Sequence, residues 1–99
     1  MEIQKGDIVV SLAGRDKNKL LFVLYIEGEN AFLADGIVRH LEKPKKKKLK
    51  HLSFYKREET SAIRSKILKG EELNNAQIRK EIRIQDNSVG GYAACQKMT

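Results

Sequence analysis

The sequence predicts a mainly β domain with α-helix at its C-terminal end, and three observations carry that prediction. Residues 7–13 and 20–27 place apolar side chains at the two-residue period of strands. Turn-forming combinations, Gly28-Glu29-Asn30 and Asp35-Gly36, follow at short intervals. Beyond Glu58 the apolar spacing changes to the three-and-four rhythm of amphipathic helices.

Taken in order, Met1–Lys5 lead into a first strand over 7–13. There Ile8, Val10 and Leu12 alternate with Val9, Ser11 and Ala13, and Gly14 breaks the pattern. A polar tip, Arg15-Asp16-Lys17-Asn18-Lys19, precedes a second strand over 20–27. Its residues Leu20, Phe22, Leu24 and Ile26 are expected on one face, with Leu21, Val23 and Tyr25 on the other. A strand apolar on both faces is covered on both sides or curled into a barrel. After the turn at 28–30, a third strand is predicted over 31–34. Asp35-Gly36 then turns the chain into a fourth at 37–41. A last short strand over 48–52 completes about five, arranged as an antiparallel meander.

From Glu58 the reading is helical. Glu58 and Glu59 suit the positive end of a first helix, Ala62, Ile63, Lys66 and Ile67 form its stripe, and Gly70 stops it. A second helix is expected from Asn74, with Gln77 completing a capping box and Leu73 and Ile78 a hydrophobic staple. Ile78 and Ile82 share a face. Such short helices are marginal alone and need the sheet or each other. The expected organisation is therefore a barrel over 1–57, a helical appendage over 58–85, and a disordered tail over 86–99.

Ninety-nine residues, 40% apolar and 33% charged, suit one small globular unit. The net charge of +7 is concentrated in the first part. Residues 1–57 hold 13 Lys/Arg against 7 Asp/Glu, whereas residues 58–85 hold 6 against 5. A field of this kind favours polyanions, nucleic acid first. The single cysteine, Cys95, permits no internal disulfide and fits a reducing compartment. With no apolar leader and no run approaching a transmembrane span, a cytoplasmic protein without membrane association is expected.

Gly6-Asp7, Val9-Val10, Gly14, Lys17 and Lys19 resemble the first half of a KOW motif, a Gly-Asp pair and alternating apolar residues leading to a glycine and a basic loop. Farther on, Arg39, the Lys45–Lys48 run and Lys50-His51-Leu52 resemble the basic approach and Lys-His-Leu ending of KOW-type large-subunit ribosomal proteins of archaea and eukaryotes. Short stand-alone bacterial KOW proteins are similar in following the barrel with helices. The resemblance is strongest over residues 5–54, about half the chain. Two positions depart from the pattern. Asn18 stands for a second glycine, being the residue that next best tolerates a left-handed backbone, and Leu20-Leu21-Phe22 replaces a Gly-x-Val. The resemblance implies a small SH3-like β-barrel that binds RNA, ribosomal RNA or the ribosome foremost.

On that reading, the RNA-binding residues are Gly14, Arg15, Lys17, Asn18 and Lys19 in the first loop. Arg39, Lys45, Lys46, Lys47, Lys48, Lys50 and His51 form an adjoining basic surface. Charge and turn N–H groups there suit phosphates. Tyr25, Phe22, Phe32, Phe54 and Tyr55 could supply stacking surfaces. Phe54 and Tyr55, beside the basic run, are the better candidates, while Phe22 and Phe32 read as core. With so few aromatics, recognition by shape and phosphate is expected over recognition by bases. His40, His51 and Cys95 lack metal-ligand spacing, and no cofactor is implied. Asp7, Asp16 and Asp35 sit at turns with no positioned nucleophile or base, so no enzyme is expected. The alternative is a protein-interaction module of the transcription or translation machinery, making contact through the helices.

Overall fold

The computed structural model describes residues 2–88. Five strands form one antiparallel sheet: β1 (Ile8–Ser11), β2 (Leu20–Glu27), β3 (Asn30–Ala34), β4 (Lys45–Lys48) and β5 (Leu52–Lys56). Two helices follow, α1 (Ala62–Lys69) and α2 (Asn75–Ser88). The strand order is β4-β3-β2-β1-β5, so β4 and β5 are the two edges. They are nonetheless joined by a single 3-10 turn, Leu49–His51. A flat five-stranded sheet would hold its edges about 19 Å apart, and four Cα steps reach about 15 Å at most. The sheet is therefore strongly curled, and it stays open between its edges.

Curling gives the sheet two buried faces. Inside the curl, Val9, Leu21, Val23, Ala31, Leu33 and Leu52 form one cluster. On the outer face, Ile8, Val10, Leu20 and Phe22 pack with Ile63 and Ile67 of α1 and Ile78 and Ile82 of α2. The helices thus complete a core that the strands alone would leave in water, which is why segments this short are helical at all.

Several elements differ from the sequence reading, each for a physical reason. Residues 37–41 form a loop rather than a strand. The Asp35 carboxylate accepts hydrogen bonds from the N–H groups of Ile37, Val38 and Arg39, at 2.8, 3.0 and 2.9 Å. Those donors are then lost to any ladder. The fourth strand is Lys45–Lys48 instead, paired to β3, and the fifth lies at 52–56 rather than 48–52. β1 stops at Ser11, leaving Leu12 exposed. The first helix starts three residues after Glu58-Glu59, because the Ser61 hydroxyl accepts from the N–H groups of Ile63 and Arg64. Gly70 ends it at φ 71°, as the stop signal requires. The capping box of α2 is present: Gln77 N–H donates to Asn74 Oδ1 at 2.9 Å and Asn74 N–H to Gln77 Oε1 at 3.0 Å. α2 also continues through Ser88, past the expected tail boundary at 86; the rest of that tail, with Cys95, lies outside the described residues.

The most consequential difference is one residue wide. β2 has the predicted bounds, but its pairing with β3 runs Val23 to Leu33 and then Tyr25 to Phe32, so Leu24 is an unpaired bulge. Beyond it the faces exchange. Ile26 joins the inner cluster, and Tyr25 emerges on the outer face with Leu24, opposite to the two-residue alternation.

Asp7 ties these parts together. It is fully buried and receives Arg57 Nε at 2.8 Å, Arg57 Nη2 at 2.9 Å, Arg64 Nη1 at 3.1 Å and the Gln4 N–H at 2.7 Å. Its hydrogen bonds raise the Arg57 pKa further above its ordinary value, outweighing the opposing effect of desolvation. Replacing Asp7 with Ala leaves buried Arg64 facing a void without its counter-charge. Breaking a buried pair in this way costs about 3–5 kcal/mol, and urea unfolding should show a loss of that order.

Candidate functional site

The loop between β1 and β2 is tight and tied down. Asn18 N–H donates to Ser11 O at 2.8 Å, Lys19 N–H to Asp16 O at 2.9 Å, and Ser11 N–H to Lys19 O at 3.1 Å. Asn18 has φ 70°, the left-handed backbone that its side chain tolerates better than most. Asp16, at the tip, turns inward and is buried against Arg39, whose Nε lies 3.1 Å from Oδ2 and Nη2 3.0 Å from the same oxygen. Lys47 reaches across from β4, and its ammonium donates to Ala13 O at 2.6 Å. The same ammonium occupies the space over Gly14, where a Cβ would come within 3.2 Å of it.

The basic residues named from sequence therefore divide. Arg39 and Lys47 are fastened to the loop. Arg15, Lys17, Lys19, Lys46, Lys48, Lys50 and His51 are exposed, and Lys45 is half-buried. Lys45 and Lys47 lie opposite Leu33 and Ala31 on the inner face of the sheet, while Lys46 and Lys48 lie opposite Phe32 and Asn30 on the outer face. A run of four lysines becomes two different surfaces because strands alternate.

Between the 35–42 loop and the start of β4 lies a cleft of about 440 Å³. Arg39, His40, Lys43, Lys45 and Lys46 line it with Val38 and Pro44, and no carboxylate does. His40 was absent from the RNA-binding residues picked out by sequence. The signal was present in Arg39-His40 and in Lys43, but a loop held by Asp35 is needed to bring them over β4. Helix α2 holds the far side of this loop: Leu41 N–H donates to Asn75 Oδ1 at 2.8 Å and Arg79 Nη1 to Gly36 O at 3.2 Å. Gly36, at φ 74°, fits there because a Cβ would collide with Asn75 O.

Two aromatics, Tyr55 and Phe32, are placed otherwise than expected. Phe54 has the Arg57 guanidinium 5.4 Å from its ring centroid. Tyr55 packs against the outer core, its hydroxyl buried, and burial first, then Asp86, raise its pKa above the ordinary value. Phe22 is core, as read; Phe32 is only half-buried and stacks on Tyr25, with centroids 4.4 Å apart and planes at 13°.

Asp7, Asp16 and Asp35, considered together as acids, are far apart in role. Each is buried and bonded to a different partner set. Among the described residues no group of three or more His, Cys, Asp or Glu is placed to hold a metal ion, and no helix is long and apolar enough to cross a membrane. No family model matches the chain, and no curated protein matches it.

Burial lowers the Lys47 pKa from the ordinary 10.5, Asp16 opposes the shift, and Lys45 and Arg39 add to it. A lysine lowered on folding costs stability when charged in both states, and that cost fades as pH rises through the folded pKa towards 10.5. An NMR titration of the Lys47 side chain should find a midpoint below 10.5. Asp16→Asn should move it lower still, since the neighbouring charge that holds it up is gone.

Proposed function

We propose that the protein is a non-enzymatic RNA-binding protein of the KOW type, ribosomal-protein-like or ribosome-associated, that grips structured RNA by its phosphates. The observation that carries this reading is the cleft lined by Arg39, His40, Lys43, Lys45 and Lys46 without an acid. Arg39 is neutralised by Asp16, so the net attraction comes from the lysines. Lys48, Lys50 and the exposed Arg15, Lys17 and Lys19 extend the positive surface on either side. Phosphate contacts of this kind give affinity without reading sequence.

An SH3-like barrel is supported by the strand order and by the short turn that joins the two edge strands. The Asp35 loop and β4 are part of the same meander, so the basic cleft is built from consecutive segments of a rigid scaffold. The expected cellular location is the cytoplasm, where ribosomal RNA is met.

Co-sedimentation with ribosomal particles, at low and then high salt, tests the proposal. The wild-type protein should travel with the large subunit at low salt and be released at high salt. If about four cations meet phosphates, the log–log salt slope is about −3. A Lys43→Glu, Lys46→Glu, Lys48→Glu triple variant changes only exposed side chains. It should fold normally yet stay at the top of the gradient. Lys47 is left intact because it clamps the loop at Ala13. Binding that persists at high salt and in the triple variant would instead favour an apolar protein interface.

A further inference from the structure

The basic cleft does not end at β4. Lys46 lies directly opposite Phe32, and Phe32 directly opposite Tyr25, on three neighbouring strands. The three side chains share the outer face, in a row spanning about two inter-strand spacings, roughly 10 Å. Tyr25 is 38% exposed, and one of its faces is covered by the Phe32 ring. Tyr25 also lines a groove of about 450 Å³ between β2 and the α1–α2 connection. Leu24, Leu41, Ile67 and Leu73 make its walls, with Lys5, Lys66 and Glu71 as its charged groups. Leu41 belongs to the same loop that walls the cleft, so the two depressions lie on either side of residues 38–43.

We propose that this groove takes an unpaired nucleobase of RNA, stacked beside Tyr25, while the adjoining phosphates rest on Lys46 and the cleft at one side and on Lys5 and Lys66 at the other. The inference rests on the RNA-binding reading and narrows it to RNA with a loop, bulge or single-stranded segment. A flat apolar slot beside an aromatic ring suits the π-face of a base, and a base never arrives without its phosphates. The charges match that order: Lys46 lies at the β4 end of the aromatic row, and Lys5 and Lys66 line the groove itself. Glu71 repels phosphate and faces the slot as an acceptor, suited to the amino edge of a base. An uninterrupted duplex presents no free base and leaves the groove empty.

The test compares a short single-stranded RNA carrying one 2-aminopurine with a blunt duplex of the same length, by fluorescence anisotropy and by 2-aminopurine emission. Wild-type protein should quench the 2-aminopurine on binding. Tyr25→Ala should weaken single-strand binding about tenfold or more, leave duplex binding and the salt slope unchanged, and abolish the quenching. Tyr25→Phe should behave as wild type. The wild-type emission decides the matter even where Tyr25→Ala folds poorly. Single-strand binding without quenching overturns the groove, as does a folded Tyr25→Ala that binds both RNAs like wild type; the RNA-binding reading survives either result. Failure of the wild type to bind any RNA at low salt overturns both. A dimer in sedimentation that Tyr25→Ala dissociates would show the groove filled by a second copy, and would also overturn the proposal.

Discussion

A single buried carboxylate holds the molecule's layers together. Asp7 precedes β1, Arg57 follows β5, and Arg64 stands on α1, so three segments distant in sequence converge on two oxygens. Its charge is tolerable in the interior because two guanidinium groups and a backbone N–H surround it. The consequence reaches beyond stability. α1 supplies Lys66 and Ile67 to the groove beside Tyr25, and its placement over the sheet is set where Arg64 meets Asp7. Apolar packing is non-directional, whereas the Arg64–Asp7 pair ties α1 to the residues just before β1.

The same device recurs twice on a smaller scale. Asp16 draws Arg39 across to the first loop, and Asp35 gathers three backbone N–H groups into the loop that carries Arg39, His40 and Lys43. Three acids of the basic half are thereby withdrawn from the surface. Arg39 is the cost, since its charge is spent on Asp16, whereas Lys43, Lys46 and Lys48 remain exposed. The surface is consequently more one-sided than the composition of residues 1–57 suggests. Lysine, with a compact and strongly hydrated charge, suits a surface that holds phosphates without fixed geometry, and arginine suits the internal carboxylates.

Much of the architecture was legible in the sequence. The bounds of β2, the Gly70 stop and the Asn74–Gln77 capping box are local, and local chemistry is enough to read them. Residues 37–41 misled because an apolar stretch after a turn resembles a strand, while the deciding event is a side chain two to four positions earlier taking the N–H groups. Lys45–Lys47 gave no strand signal, and Lys48 was read as the start of the next strand. Four identical side chains have no period, and only pairing with β3 makes them a strand. For the candidate site, the lysines were legible as charge, but their division between two faces required the register. His40 required the loop.

The bulge at Leu24 shows why the two-residue alternation put Tyr25 on the wrong face. With strict alternation, Tyr25 would face the inner cluster with Leu21 and Val23, where a tyrosine hydroxyl would need a buried partner. One extra residue sends Ile26 inward in its place and puts the tyrosine on the outer face, in line with Phe32 and Lys46. The exchange satisfies both environments: a branched aliphatic fills the curl, and an amphipathic ring stands at the water boundary. On the proposed RNA reading, the cations hold the phosphate backbone to a degree set by salt, and the stacked rings with their apolar groove add the distinction between paired and unpaired bases. A bulge that re-aims a side chain costs one ladder position, and Leu24 itself lines the groove beside Tyr25.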